Sequence, residues 1–320
     1  MMSLVKEVGA LGKQAASVYW LLLKVMVPAL LIVKVLEMVG GVTLLGHVLS
    51  PVMQVVGLPD DLGIVLATMM LTNIYTGMLV FFNLGLSEPL SVAQVTVLGA
   101  MTLLAHSLPV EGAVAKRMGV SWRVTIALRF GGALVLGGLL NLVYSQFQWL
   151  QQPSQMLWQP TAAVDDSFVG WGISQIKTLA YIYFVIFALM SLLRLLRALG
   201  IERLIHTLLF PILRMLGIGK SAANVAVIGV VLGLTFGAGL LIKEAESGRL
   251  SRKDIFLTMG FLGLCHSIIE DTMLILLLGA DLSGILWARF VFALVVIGIL
   301  ARWSYLQRRL EEQPKETPVL

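Results

Sequence analysis

The chain has 320 residues, of which 58% are hydrophobic and only 13% are charged, and its mean hydropathy is +0.92. Ordinary soluble domains carry about 25% charged residues, so this composition indicates an integral membrane protein. The net charge of +5 is modest, which argues against a nucleic-acid partner, and the single cysteine, Cys265, excludes a disulfide within the chain.

Six apolar segments are long enough to cross a bilayer, which needs about 20 apolar residues per helix. In chain order these predicted spans cover 16–39, 61–84, 122–146, 174–199, 221–242 and 283–305. The first is too long for the core of a signal peptide, so we expect it to be retained. Shorter amphipathic helices, each with a proline at a matched position, are predicted over 43–56 and 203–216.

Two further segments, 92–118 and 254–279, carry polar motifs inside apolar sequence. The motifs supply seven candidate binding residues: His106, Ser107, Glu111, His266, Ser267, Glu270 and Asp271. Desolvation penalises such groups in lipid, so they indicate a substrate, ion or proton path. If the second motif is helical, His266 and Glu270 share one face. Each segment is either one broken crossing or a re-entrant hairpin of two half-helices.

The two His-Ser motifs are copies of each other, because His106 and His266 stand 160 positions apart. The same offset, without any gap, aligns Pro51 with Pro211, Gly57 with Gly217, Gly77 with Gly237, Gly119 with Gly279 and Arg129 with Arg289. A constant offset equal to half the chain predicts two homologous halves, 1–160 and 161–320.

The placement of charge favours three crossings in each half, with the His-Ser segments re-entrant. Most Lys and Arg residues then lie on the cytoplasmic side together with both termini, and the segment 147–173, which contains Asp165 and Asp166 but no Lys or Arg, lies outside. An odd number of crossings makes the halves inverted, an architecture found in many secondary transporters.

Two of the predicted spans carry signals for a break near their centres. In 61–84, Asn73, Tyr75 and Thr76 add hydrogen-bonding groups that lipid cannot satisfy. In 221–242, several glycines surround Thr235. Unwound backbone there would face a solute, so Asn73, Thr76 and Thr235 are further candidate binding residues.

Arg129 and Arg289 occupy matched places inside apolar runs, where we expect their side chains to extend toward lipid headgroups. No His-Glu-x-x-His or Gly-x-Ser-x-Gly pattern occurs in the sequence, and Arg214 stands where a phosphate-binding loop requires its first glycine. We therefore expect neither an enzyme nor an ATP site.

Histidine and carboxylate groups together allow two kinds of chemistry. They titrate near neutral pH, which suits proton coupling. They also bind divalent transition metals through imidazole nitrogen and carboxylate oxygen, and for that alternative the predicted ligands are His106, Glu111, His266 and Glu270.

The stretch Met259–Thr272, followed by Leu278-Gly279-Ala280 and Arg289-Phe290, resembles the nucleoside-recognition or Gate domain of bacterial membrane proteins. Gate domains are similar to parts of concentrative nucleoside transporters and to the membrane part of ferrous iron permeases, and related proteins act in spore maturation. The resemblance implies small-solute transport in a bacterial inner membrane, without fixing the substrate. The first copy departs from the pattern at Pro109 and Gly112.

The sequence thus predicts an all-α polytopic membrane protein, built as an inverted repeat of two Gate-like halves, 1–160 and 161–320. About six helices span the membrane, beside two broken or re-entrant His-Ser segments. The predicted function is secondary transport of a small polar solute, such as a nucleoside, with or without coupling to protons or ions. A divalent metal permease and a non-transporting partner subunit are the alternatives.

The expected partners are the lipid bilayer and the transported solute or ion. No cofactor is predicted beyond the divalent metal of the alternative. The small number of spans is compatible with a homodimer.

Overall fold

The computed structural model describes residues 2–39, 41–84, 89–157, 168–246, 248 and 250–303. This part of the chain is helical and contains no β-strand, so the all-α prediction is confirmed for it. Its α-helices are α1 Met2–Met38, α2 Gly41–Val55, α3 Leu62–Leu71, α4 Ile74–Asn83, α5 Val92–Ala105, α6 Leu108–Arg117, α7 Trp122–Ile126, α8 Gly132–Gln146, α9 Phe168–Ala198, α10 Ile201–Met215, α11 Lys220–Glu246, α12 Arg252–Leu264, α13 Glu270–Leu276 and α14 Arg289–Arg302. π-helical turns over Ala127–Gly131 and Ser283–Ala288 precede α8 and α14.

Within the described residues, five helical stretches are long and apolar enough to cross a membrane: Ala10–Ile32, Val92–Arg117, Trp122–Gln146, Val169–Ala198 and Ser283–Arg302. Four of them overlap predicted spans. The remaining one, Val92–Arg117, is the first His-Ser segment.

The Val92–Arg117 stretch lies at the centre of the molecule. Of its apolar window 78% is buried, against 17% to 28% for the other four stretches. It packs against α8, α3 and the π-helical turn Ser283–Ala288. A stretch surrounded by protein in this way is able to carry polar side chains that a lipid-facing helix cannot.

The prediction of a single membrane span over 61–84 is wrong. The chain forms two ten-residue helices there, α3 and α4, which pack against each other after a reversal at Thr72 and Asn73. The reversal brings Gly77 so close to Met69 that a Cβ on the glycine would overlap the methionine side chain. Ten helical residues measure about 15 Å, half the roughly 30 Å hydrocarbon core, so each arm of this hairpin is long enough to reach only the bilayer midplane.

The second half is interrupted at the matching place. Helix α11 has non-helical backbone at Gly233, with φ 81° and ψ 166°. Glycine adopts this positive φ without steric cost, whereas other residues do not. The apolar part before the break, Lys220–Val231, is too short to cross a membrane. The predicted span over 221–242 is therefore not one continuous apolar helix.

Both His-Ser segments are broken at the histidine. Helix α5 ends one residue before His106, and α12 ends two residues before His266. The serines that follow, Ser107 and Ser267, have positive φ angles of 51° and 46°. This conformation stops helical hydrogen bonding and leaves the last carbonyl groups of each helix in need of other donors.

The two predicted amphipathic helices are present in the structure. Those over 43–56 and 203–216 correspond to α2 and α10. The segment 147–173, predicted to lie outside the membrane, is described only in part, and Asp165 and Asp166 lie outside the described residues.

Candidate functional site

The two helical breaks near Thr72 and Gly233 hold the His-Ser segments in place. The Ser107 backbone N–H donates to the Met69 carbonyl at 3.0 Å, and the Ser107 hydroxyl donates to the Thr72 carbonyl at 2.9 Å. In the second half, the Ile268 N–H donates to the Val230 carbonyl at 2.9 Å. Carbonyl groups that each break leaves free thus accept hydrogen bonds from the neighbouring His-Ser segment.

Two arginines bind the carbonyls at the ends of α5 and α12. Arg129 donates from Nε to the Leu104 carbonyl at 2.7 Å and from Nη2 to the His106 carbonyl at 2.8 Å. Arg289 makes the same two contacts with Leu264 at 3.0 Å and His266 at 2.7 Å. Both side chains are fully buried, with 1% and 0% exposure. The expectation that they extend toward lipid headgroups is therefore wrong.

These contacts orient two imidazole rings toward each other. The Nδ1 atoms of His106 and His266 lie 3.0 Å and 2.7 Å from the carbonyl oxygens of Thr102 and Leu262. A carbonyl oxygen only accepts, so each Nδ1 carries the proton, and Nε2 of the neutral ring presents a lone pair. The two Nε2 atoms are 3.3 Å apart. Two acceptor atoms therefore face each other at the centre of the protein.

Two carboxylates complete the cluster. Glu111 Oε1 lies 3.1 Å from His266 Nε2 and 3.6 Å from His106 Nε2. Asp271 Oδ2 lies 3.4 Å from His106 Nε2 and 3.9 Å from His266 Nε2. All four residues are buried, with exposures from 1% to 7%. We call His106, Glu111, His266 and Asp271 the central cluster.

Glu270 does not belong to the central cluster, although the sequence placed it on one helical face with His266. The chain between Cys265 and Ile269 is not helical, so spacing by four residues does not bring the two side chains together. The Glu270 carboxylate instead accepts a hydrogen bond from the Tyr75 hydroxyl at 3.3 Å. Asp271 lies beside the imidazoles in its place.

The remaining candidate residues support the hairpin and the breaks. Asn73 caps α4, since its side-chain oxygen accepts from the Thr76 N–H at 2.9 Å and from the Thr76 hydroxyl at 3.1 Å. Ser267 lies so close to Gly233 that a Cβ on the glycine would overlap the Ser267 hydroxyl. The side chain of Thr235 lies outside the described part of the chain.

A narrow crevice borders the cluster at Glu111. It has a volume of about 10 Å³ and is lined by Glu111, Arg129, Gly263 and neighbouring residues. A volume of this size holds about one water molecule. A larger cavity of about 240 Å³, lined by Ser91, Gln94 and Tyr144 among others, lies elsewhere and does not include any member of the central cluster.

The arginines are the members of the site that sequence reasoning missed. Their matched positions, 129 and 289, were visible in the sequence, as was the offset that pairs each with a His-Ser motif. What was not visible was that each break would leave carbonyl groups needing a buried donor.

The chain is similar to the uncharacterized membrane protein YvoD of Bacillus subtilis (strain 168). The two are 29% identical over 294 residues, which cover 89% of this chain and 91% of the relative. No family model matches the chain, so the resemblance to Gate domains stays a prediction. No solved structure matches it either. Together with the apolar helices, the relative supports a membrane protein with several membrane-spanning segments.

Proposed function

We propose that the protein is a secondary transporter of a divalent transition-metal cation, which binds between His106, Glu111, His266 and Asp271. The observation that carries this proposal is the spacing of the four facing atoms. A tetrahedral ion with bonds of about 2.0–2.2 Å holds its ligand atoms about 3.3–3.6 Å apart. The ligand atoms of His106, His266 and Asp271 all lie within 4.8 Å of one another, at 3.3, 3.4 and 3.9 Å. Glu111 Oε1, the proposed fourth ligand, lies 3.1 Å and 3.6 Å from the two Nε2 atoms.

The hydrogen bonds behind the ligands agree with a metal site. A metal-binding histidine normally donates its other ring N–H to a carbonyl or carboxylate, which fixes the tautomer. His106 and His266 both have a carbonyl oxygen beside Nδ1. Without a cation, the two Nε2 lone pairs and two carboxylate oxygens would repel one another, since all four are acceptors.

Transport, rather than static binding, is supported by where the cluster lies. The two histidines stand at the helix breaks, and Glu111 and Asp271 stand in the first turn of the helices that follow. Unwound helices around a central site are typical of secondary transporters. The recurrence of the same arginine contacts 160 residues apart supports two related halves, which we propose are inverted. We further propose a bacterial inner-membrane location with both termini cytoplasmic.

A second candidate is a proton-coupled transporter of a small polar solute, such as a nucleoside. The buried charges of Arg129 and Arg289 favour it. A divalent cation adds two positive charges beside them, whereas a proton shared by the histidines adds only one. The crevice beside Glu111 has room for about one water molecule, which favours a small cation over a nucleoside in this conformation.

The test uses the purified full-length protein and a thermal unfolding assay with Zn²⁺, Mn²⁺, Co²⁺ and a panel of nucleosides. A ligand that binds the folded state raises Tm by mass action, and an excess of 100 times Kd adds about 2.7 kcal/mol. We expect a shift with a metal ion, a tetrahedral absorption spectrum with Co²⁺, and metal uptake into proteoliposomes. His206→Ala serves as a control variant, for which we expect the same metal-induced shift in Tm as for wild type. His206 is exposed, and its ring contacts Asn224 rather than the central cluster.

A shift with nucleosides and none with metals would favour the second candidate. If no ligand shifts Tm and no uptake occurs, transport is refuted and a non-transporting partner subunit becomes the better hypothesis.

A further inference from the structure

The two buried arginines make identical backbone contacts but differ in their carboxylate contacts. Arg129 forms an ion pair through Nη1 with Glu111 Oε2. In the described part of the chain, Nη1 of neither arginine makes a hydrogen bond of good geometry, so the Glu111 ion pair is what distinguishes Arg129. The corresponding Nη1 of Arg289 has no such ion pair, although the side chain is 0% exposed. One arginine in the core is therefore paired and the other is not.

The difference follows from the length of one side chain. Glu111 is long enough to use both oxygens at once, one with Arg129 and the other 3.1 Å from His266 Nε2. Asp271 occupies the matched position in the second half and is one methylene shorter. Its Oδ2 atom lies 3.4 Å from His106 Nε2 and has no hydrogen-bond donor. Asp271 contacts the imidazoles and leaves Arg289 unpaired.

An unpaired donor on a buried charged group is costly, because the lost hydration is not replaced. Asp271 and Arg289 meet at the same turn, because the Asp271 N–H donates to the Ser267 carbonyl at 3.1 Å and Arg289 Nη2 donates to the neighbouring His266 carbonyl at 2.7 Å. In a cluster without a cation, Asp271 also faces an imidazole lone pair, which an acceptor does not favour. Both costs disappear if the Asp271 carboxylate turns from the imidazoles to Arg289.

We propose that Asp271 is the exchanging ligand of the cation site. Its carboxylate binds the cation when one is present and pairs with Arg289 when the cation leaves, while Glu111 remains fixed between Arg129 and the imidazoles. This inference rests on the proposed cation site. When the cation leaves, Asp271 forms an ion pair with Arg289, so release of the cation does not leave a buried carboxylate without a positive partner.

The test variant is Asp271→Glu. It gives the second half a glutamate, the residue that in the first half contacts both an arginine and an imidazole. If Glu at this position reaches the cluster and Arg289 together, no exchange is needed. We expect Co²⁺ binding in the purified protein to be as tight as in wild type or tighter, and Co²⁺ uptake into proteoliposomes at saturating concentration to fall by about tenfold. The matched control is Glu111→Asp, for which we expect weaker binding.

A second measurement does not depend on how the longer side chain fits. In the metal-free protein, Asp271→Asn removes the proposed pair with Arg289, so we expect Tm to fall. If Asp271 always faces the imidazoles, the same substitution removes repulsion between acceptors and Tm rises.

Unchanged uptake by Asp271→Glu, or a raised Tm for metal-free Asp271→Asn, would overturn the exchange. Wild-type protein that neither binds nor transports Co²⁺ would instead refute the cation site itself, so the two failures are distinguishable.

Discussion

The two His-Ser regions share a backbone arrangement and differ in the chemistry that they hold. In each, a histidine follows a helix end, a serine adopts positive φ, and an arginine 23 residues beyond the histidine binds its carbonyl. Among the described residues, only the first region has a carboxylate that also pairs with its arginine. The form of the helix break therefore does not depend on which carboxylate follows it. Glu111 and Asp271 differ by one methylene group, and this difference decides whether the arginine has an ion-pair partner.

The largest effect is expected from removing either imidazole. His106→Ala and His266→Ala each delete one facing nitrogen, so we expect Co²⁺ affinity to fall by more than the roughly 10- to 100-fold that losing a supporting hydrogen bond costs. Titration calorimetry measures the change, with His206→Ala as the unaffected control. A large loss for one histidine and none for the other would mean that the two regions do not share one site.

A smaller but still large effect on stability is expected at Glu111. Glu111→Gln leaves the buried Arg129 without its carboxylate, and breaking a buried ion pair costs about 3–5 kcal/mol. Glu270→Gln is the matched control, because that side chain is partly exposed and glutamine still presents an oxygen that accepts from the Tyr75 hydroxyl. Chemical denaturation of the metal-free protein compares the two variants. Equal losses would contradict the structural role of the Glu111–Arg129 pair.

The two breaks that support the His-Ser segments provide the next comparison. Gly233→Ala places a side chain at φ 81° and against the Ser267 hydroxyl, so we expect a loss of about 1–3 kcal/mol in the free energy of unfolding. Gly172→Ala is the control, since Gly172 lies within α9 and no atom would approach its new methyl group within 4 Å. Similar results for both variants would show that the left-handed conformation is not required.

The smallest effect is expected at the matching position of the first half. Asn73 has extended backbone, which any residue adopts, so Asn73→Ala loses only the cap of α4. Loss of such a cap costs about 0.5–2 kcal/mol. A larger loss than that of Gly233→Ala in the same denaturation assay would mean that Asn73 stabilises the hairpin by more than this cap.

Much of the site was visible in the sequence because polar groups are conspicuous in apolar segments. The paired motifs identified both histidines and both close carboxylates, Glu111 and Asp271. The choice of Glu270 as a metal ligand assumed a continuous helix through His266, and the break there gives the position to Asp271 instead.

The hairpin over 62–83 and the role of the arginines were harder to predict. Segment length and hydropathy do not distinguish one long helix from two short ones, so only the polar group around Asn73 suggested a break. A lone arginine in an apolar run more often extends toward headgroups. Its burial at Arg129 and Arg289 depends on tertiary contacts with carbonyls 23 and 25 residues earlier.

That short separation has a consequence for the order in which the protein is made. Arg129 follows Leu104 and His106 closely in the chain. Its hydrogen bonds to their carbonyls can therefore form as soon as the next helix has left the ribosome and entered the bilayer. The contact between His106 and His266 joins residues 160 positions apart and must wait for the second half. The contact between the two histidines therefore requires insertion of both halves, whereas the arginine contacts of the first break do not.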